Sequence, residues 1–445
     1  MKKIAYLPLF IALIACDKYL DIQPRGQVIP STIEDYDLIL NGGESTVHTI
    51  ENEIVLALSA DDFLIENTGT IDTNNPDNQA FQLYSWGDKR FYNPASSVPA
   101  WNNAYQNIYR FNKVINEVMD ANPSLGYTEQ DKLVIQAEAL YGRALDYFFL
   151  VNIFAPTYSS ANSSALSVPI VTQADITQTG LQRETVGKVY NFIIEDLLKA
   201  IDHLPTKSKN VTRPNKGAGY ALLSRVYLYK GDYQQSMEYA TKALEEKNTL
   251  KDYKEITDEN LIAQAYEDEQ YAMRYFGYIR AYPGGLSDDL KQVLSTTNDV
   301  RYYRFFGIAP GYGELKMVPV LPNAAVSVGE MYVTRAECYA RLGQKAQAIA
   351  DLNTLRTIRL KNYVAFTQAN FATDTELIKA CVDERRCETL QSHIRLFDLK
   401  RLGLEANFVK TITHDFQGEV YSVESNSDRL VLPIPAQVLK FNPSW

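Results

Sequence analysis

Ser224-Arg225-Val226-Tyr227-Leu228-Tyr229-Lys230-Gly231-Asp232-Tyr233 reads as the end of one apolar helix, a glycine turn and the start of another. Ala340-Arg341-Leu342-Gly343-Gln344 is the corresponding turn more than a hundred residues later. Around the first, Ser224, Ser236 and Ala243 stand twelve and seven residues apart; around the second, Ala336, Ala348 and Leu355 repeat both spacings. Small side chains there let two antiparallel helices approach closely. A pair built this way cannot bury its apolar face alone, so neighbours must stack on it.

These pairs, 216–247 and 328–359, read as tetratricopeptide-like units, and 101–152 supplies material for more. Thr185 precedes Val186, Val189, Tyr190, Ile193, Ile194, Leu197, Leu198 and Ile201 at helical spacing, with Pro205 beyond. Thr128 and Asp131 form a capping-box pattern before the apolar face Leu133, Ala137, Leu140, Tyr141, Ala144, Leu145, Phe148 and Phe149. Helices are also expected at 101–119, 216–230, 233–244, 328–342, 345–359 and 374–389. Between them, 59–100, 154–182, 252–322 and 414–445 read as irregular, too aromatic for linkers.

The 445 residues carry a net charge of −10, which excludes a partner held by a basic surface, such as nucleic acid. Tyrosine is abundant, 30 residues against 18 Phe and 3 Trp, and suits half-wet surfaces. Lys2 and Lys3 precede an uncharged apolar run, Ile4 to Ala15, too short to span a bilayer as a mature helix. With Leu13-Ile14-Ala15-Cys16 it reads as a lipoprotein signal peptide, residues 1–15, with Cys16 lipidated. Asp17 would mean inner-membrane retention under the sorting rule of some Gram-negative bacteria. Cys338, Cys381 and Cys387 form no C-x-x-C pair and suggest no disulfide framework.

No phosphate-cradling glycine loop, no nucleophile elbow and no H-E-x-x-H occurs, and the four histidines are not spaced for a shared metal. No catalytic residue, metal or cofactor is expected. Asp61-Asp62 and Asp288-Asp289 are adjacent carboxylates whose side chains diverge; they read as caps and solvated charges. Tyr84, Trp86, Phe91 and Tyr92 crowd one loop, and Tyr275, Phe276, Tyr278 and Tyr282 another, followed by Tyr302, Tyr303 and Tyr312. Flat rings beside a carboxylate suit a sugar, and also a peptide. The expected ligand residues are Trp86, Tyr84, Tyr282, Tyr278 and Asp61, on loop regions 59–100 and 252–322. Trp101, aligned with Tyr105, Ile108 and Asn112, is assigned to helix packing.

Several motifs in order carry a family resemblance: Cys16-Asp17-Lys18-Tyr19-Leu20-Asp21-Ile22-Gln23-Pro24; Trp101, Tyr105 and Asn112; Ala137-Glu138-Ala139 with Arg143-Ala144; the 224–233 stretch; Asn298-Asp299-Val300-Arg301; Arg335-Ala336-Glu337; Asp383-Glu384-Arg385-Arg386; Arg395-Leu396-Phe397-Asp398-Leu399-Lys400-Arg401; and Leu432-Pro433-Ile434-Pro435. Together they resemble the SusD/RagB family of outer-membrane lipoproteins. The resemblance implies one domain over 16–445, all-α dominated, a tetratricopeptide-like right-handed superhelix with long irregular loops and little β structure. It implies a surface-facing, lipid-anchored protein that captures oligosaccharides and delivers them to a SusC-like TonB-dependent transporter, without turnover. Peptide capture, as by relatives of RagB, and a surface glycosidase are the alternatives. Ser392-His393 departs from the family's Glu-Gly, and 252–322 is short for the family. Glu384, Arg385, Arg395 and Asp398 are expected to form a structural ion network.

Overall fold

The computed structural model describes residues 29–41, 49–50, 53–65, 71–72, 75, 77–256, 259–276, 285–295, 297–307, 316–317 and 323–445. The segment 1–15, Cys16, Tyr278, Tyr282 and Tyr312 lie outside them. In chain order, α1 (Ile33–Asn41), α2 (Glu53–Ser59) and α3 (Gln79–Tyr84) lead into the long helices α4 (Pro99–Glu117), α5 (Glu129–Phe154), α6 (Val186–Ile201), α7 (Lys216–Lys230) and α8 (Tyr233–Glu246). Then come α9 (Glu259–Asp268), α10 (Asp288–Leu294), α11 (Val300–Phe305), α12 (Val328–Arg341), α13 (Lys345–Arg359), α14 (Asp374–Glu388), α15 (Arg395–Leu402) and α16 (Ala436–Phe441). Strand structure is confined, among the described residues, to three two-stranded pairs: β1 (Thr49–Ile50) with β2 (Tyr275–Phe276), β3 (Phe306–Gly307) with β4 (Lys316–Met317), and the hairpin β5 (Thr411–Phe416) with β6 (Glu419–Glu424). The protein is helix-dominated with little β structure, as the sequence indicates.

The long helices lie where periodicity places them, within about two residues at each end. Three shorter ones, α9 to α11, fall inside the stretch read as irregular, because helices of six to ten residues carry too few turns to show a period. From α4 to α8 each helix packs on the next, α8 packs on α12, and α12 on both α13 and α14. The result is a continuous stack in which every apolar face meets a neighbour. Within it α5 is buried nearly all round from Ala137 to Phe154, as befits a helix enclosed by others. Its start carries the expected Thr128–Asp131 capping box. Carbonyls at its far end accept from groups far along the chain: Lys400 Nζ donates to Asn152 O at 2.6 Å and Ala155 O at 2.9 Å, and the Leu432 N–H to Ile153 O at 3.0 Å. Two motifs that read only as family marks thus cap the central helix.

The repeat units match in detail. Ser224 Oγ donates to Ser236 O, and Ser236 Oγ returns a bond to Ser224 O, both at 2.8 Å, which is why small residues stand there. At the α7 turn the Gly231 N–H donates to Leu228 O and the Asp232 N–H to Tyr227 O; after α12 the Gly343 and Gln344 N–H groups do the same to Ala340 and Tyr339. Both are Schellman caps, with glycine φ of 77° and 75°.

Buried ion pairs tie this stack to the later segments. Arg225 of α7 meets Glu330 of α12; Arg385 of α14 meets Asp398 of α15 at 3.1 Å; Arg401 joins Asp398 and Glu337 at 2.6 Å each. Arg301 binds Asp299 at 2.7 Å, Glu384 at 2.6 Å and Glu388 at 2.7 Å, and Arg359 joins Glu388 to Glu269. The charged motifs therefore form a structural lattice. Burial pushes the carboxyl of Asp398 up, but Arg385 and Arg401 outweigh it and hold it at about 2; Glu337, against Arg401 and Arg341, is likewise held at about 2. The departure at His393 falls on a residue with φ 49°, the left-handed region where glycine sits without strain.

Two outcomes follow from these contacts. Gly231→Ala or Gly343→Ala should each cost about 1 kcal/mol of stability in chemical denaturation, since a Cβ is disfavoured at that φ by roughly this amount. Because the folded pKa values of Asp398 and Glu337 are depressed, their stabilisation is full above the unfolded carboxyl pKa near 4 and is lost as pH falls toward 2, on the order of 2 kcal/mol each. Unfolding free energy measured from pH 5 to pH 2 should fall steeply below pH 4, and the slope should shrink in Asp398→Asn.

Candidate ligand-binding cleft

Of the residues picked out by sequence as ligand platforms, Trp86 and Tyr84 sit inside the protein. Trp86 and Tyr84 are both 0% exposed. They enclose the ring of His414 from β5, with centroids 4.1 Å away for Tyr84 and 4.2 Å for Trp86, nearly parallel on both sides. Trp86 Nε1 donates to Ser59 O at 3.1 Å, and the His414 nitrogens lie 2.7 Å from Tyr84 O and 2.8 Å from Ala60 O. The aromatic cage is filled by the chain's own imidazole, so neither ring presents a face to a ligand. That corrects the expectation for both residues.

Asp61 is corrected too. Its carboxylate is buried and accepts from Arg395 at 2.7 and 3.0 Å and from Lys410 at 2.8 Å, while Arg386 binds Asp62 at 2.8 Å and Asp289 at 2.6 Å. Burial alone would raise the Asp61 carboxyl, but Arg395 and Arg386 hold it well below the usual carboxylate range. Asp61 is an ion-pair anchor for the β5–β6 hairpin. Tyr278 and Tyr282 lie outside the described residues. The thiols of Cys338, Cys381 and Cys387 are free and buried. Among the described residues no cluster of His, Cys, Asp and Glu could hold a metal ion, and no helix is long and apolar enough to cross a membrane.

An open aromatic cleft lies elsewhere, between α4 and the segment after α5. Its volume is about 690 Å³, within the range of small-molecule sites. Trp101, Tyr105 and Tyr109, one helical turn apart, form one wall with Gln106 and Arg110; Val171, Gln173, Asp175 and Ile176 form the other. Trp101 is packed against Phe154 as expected, yet its edge reaches the cleft, and Tyr109 is 37% exposed. The four-residue spacing of these rings was the available signal. The sequence assigns Trp101, with Tyr105, to helix packing and says nothing of Tyr109; in the structure the same face of α4 both packs and lines the cleft.

Side chains from α4 and α5 hold the second wall by its backbone. Tyr105 Oη donates to Pro169 O at 2.8 Å, Asn112 Nδ2 to Val171 O at 2.9 Å, and Asn116 Nδ2 to Thr172 O at 3.1 Å; Tyr147 Oη accepts from the Val171 N–H at 2.7 Å. Asn112 is itself held, since its Oδ1 accepts from Arg143 Nη1 at 2.7 Å while Arg143 pairs with Asp196 through two bonds of 2.8 Å. A chain from α6 through α5 and α4 thus fixes the wall, and the residues Trp101, Tyr105, Asn112 and Arg143 that carried the resemblance are its parts.

Two family models match the chain: one described as "Starch-binding associating with outer membrane" over residues 18–228, and the SusD family over 328–444. The chain belongs to the SusD/RagB family. A tetratricopeptide-repeat model also matches 218–249, the α7–α8 pair. SusD-like protein P2 of Formosa agariphila is 27% identical over 251 residues, 54% of this chain and 45% of that relative. The alignment thus spans less than half of the curated relatives' length. A crystal structure of a SusD superfamily protein from Bacteroides thetaiotaomicron has a TM-score of 0.74 at 21% identity, covering 93% of this chain and 98% of that one. A putative sugar binding protein from Bacteroides vulgatus has a TM-score of 0.73 at 20% identity, covering 94% and 98%. This SusD/RagB protein shares their fold.

Asn112→Ala should cost about 1–3 kcal/mol, because it removes the acceptor of a buried guanidinium N–H of Arg143 and a donor to the Val171 and Gln173 carbonyls of the wall. Amide hydrogen exchange should speed up at residues 169–176, while Asn116→Ala, at a more exposed bond, should change exchange far less.

Proposed function

We propose that this SusD/RagB protein captures oligosaccharides in the cleft between α4 and the 171–176 segment. The observation that carries the reading is the make-up of its walls: tyrosine and tryptophan rings in a row on one side, planar amides and single charges of both signs around them. A pyranose offers an apolar face to such rings and hydroxyls to Gln106, Gln173, Arg110 and Asp175. The match to a starch-binding family model and the fold shared with a putative sugar binding protein support it. The protein acts by binding and release, without turnover. Peptide capture is the outcome that would replace the sugar in this reading.

In this proposal Cys16 carries the lipid, residues 1–15 are the signal peptide, and the mature protein from residue 16 faces outward from the outer membrane. It hands its cargo to a SusC-like TonB-dependent transporter. Anchoring confines the search to two dimensions and raises the ligand's effective concentration at the transporter mouth. Tyr278 and Tyr282 are proposed as a second contact for longer chains.

Calorimetry or affinity electrophoresis across a panel of polysaccharides tests the site. Tyr109→Ala should weaken binding about 2- to 10-fold, as expected for the loss of an aromatic contact worth roughly 0.5–1.5 kcal/mol. Tyr282→Ala should weaken only long ligands, and Trp86→Ala should act through stability alone. Binding untouched by Tyr109→Ala would remove the cleft from the account, and binding of mixed oligopeptides but no glycan would replace the ligand.

A further inference from the structure

Three residues that each carry a buried polar atom without a partner line one small cavity beside α5. Among the described residues, Glu138 Oε1, Tyr141 Oη and Arg274 Nε have no hydrogen-bond partner within the protein. All three residues line the same cavity, of about 20 Å³, with Leu40, Phe111, Gly142 and Arg213. Their remaining polar atoms are committed elsewhere, which fixes the side chains. Arg213 Nε donates to Glu138 Oε2 at 2.8 Å, and Arg274 Nη2 donates to both oxygens of Asp146 at 3.0 and 3.2 Å. Three such atoms without a partner on one cavity are far from the rule that buried polar groups are satisfied.

The chemistry of the lining selects the occupant. Arg274 Nε–H can only donate, ionised Glu138 Oε1 can only accept, and the tyrosine hydroxyl can do either. A ligand must therefore donate and accept at once. An anion would face the Glu138 carboxylate, and a cation would face the guanidinium groups of Arg213 and Arg274. One water needs a cavity of about 10–15 Å³ by this measure, so the space admits one and nothing larger. We infer that Glu138, Tyr141 and Arg274 form a binding site for a single internal water molecule, which accepts from Arg274 Nε, donates to Glu138 Oε1 and completes its bonding at Tyr141 Oη.

That water links α5 to the segment Tyr271 to Arg274, which continues directly into β2 and then into the aromatic stretch at 277–284. It gives Tyr141 a reason to be tyrosine rather than phenylalanine. The inference is independent of what the outer cleft binds.

A crystal structure of the full chain that shows ordered solvent should contain one peak within hydrogen-bond distance of all three atoms. Tyr141→Phe should leave the fold intact, weaken or abolish that peak and lower the melting temperature. Xenon pressurisation of wild-type crystals should place no xenon there, because xenon enters dry apolar cavities. Direct bonds among the three side chains with no solvent peak, a peak unchanged in Tyr141→Phe, or xenon in the cavity would each overturn the site. If Tyr141→Phe does not fold, the wild-type solvent peak and the xenon result decide.

Discussion

Charge buried with its partner is the constraint on which this structure rests. Arg225, Arg301, Arg359, Arg385 and Arg401 are all enclosed, and each reaches carboxylates on a different helix or loop. Desolvating a guanidinium and a carboxylate costs several kcal/mol apiece, and only close, multiply bonded geometry recovers it. Such pairs therefore do little for net stability compared with an apolar core of the same volume. Losing a partner is costly, because a helix that docks in the wrong register strands an uncompensated charge. In a stack of similar helix pairs, where one apolar face resembles another, that penalty distinguishes the right neighbour from the wrong one.

The same principle organises the aromatic interior. Tyr84 and Trp86 hold His414 between them, and Asp61 beside them is neutralised by Arg395 and Lys410. The β5–β6 hairpin is fastened to the region around α2 and α3 by a polar ring and an ion cluster as well as by its buried apolar side chains Ile412, Phe416 and Val423. An aromatic-rich stretch between helices is thereby converted into a rigid joint.

Helices longer than three turns were legible in the sequence because burial writes a period into them: α6 shows it in Val189, Ile193, Leu197 and Ala200, all buried. The spacing of Ser224 and Ser236 also translated directly into a contact. Where a segment is short, as in α10 or α11, or where a ring's partner lies hundreds of residues away, as His414 does from Trp86, no local pattern exists to read. The candidate site was the least legible. An aromatic residue at the surface and one in the core look alike in a sequence, and only the fold reveals that Tyr109 faces solvent while Trp86 is enclosed. The order of the motifs, by contrast, carried the family assignment, and among the described residues Asn112, Arg143, Arg225, Arg301, Lys400 and Leu432 within them fasten distant parts of the chain.

Tyr105, Asn112, Asn116 and Tyr147 grip the segment 169–173 chiefly through its main chain, with one further bond of 3.3 Å from Asn116 to the Gln173 side chain. Every amino acid offers the same carbonyl and, proline aside, the same amide. Asp175 and Ile176 can therefore be exchanged without disturbing those main-chain bonds, and the surface of the cleft can change one substitution at a time over an unchanging frame. The architecture separates what must stay constant from what selection is free to rewrite.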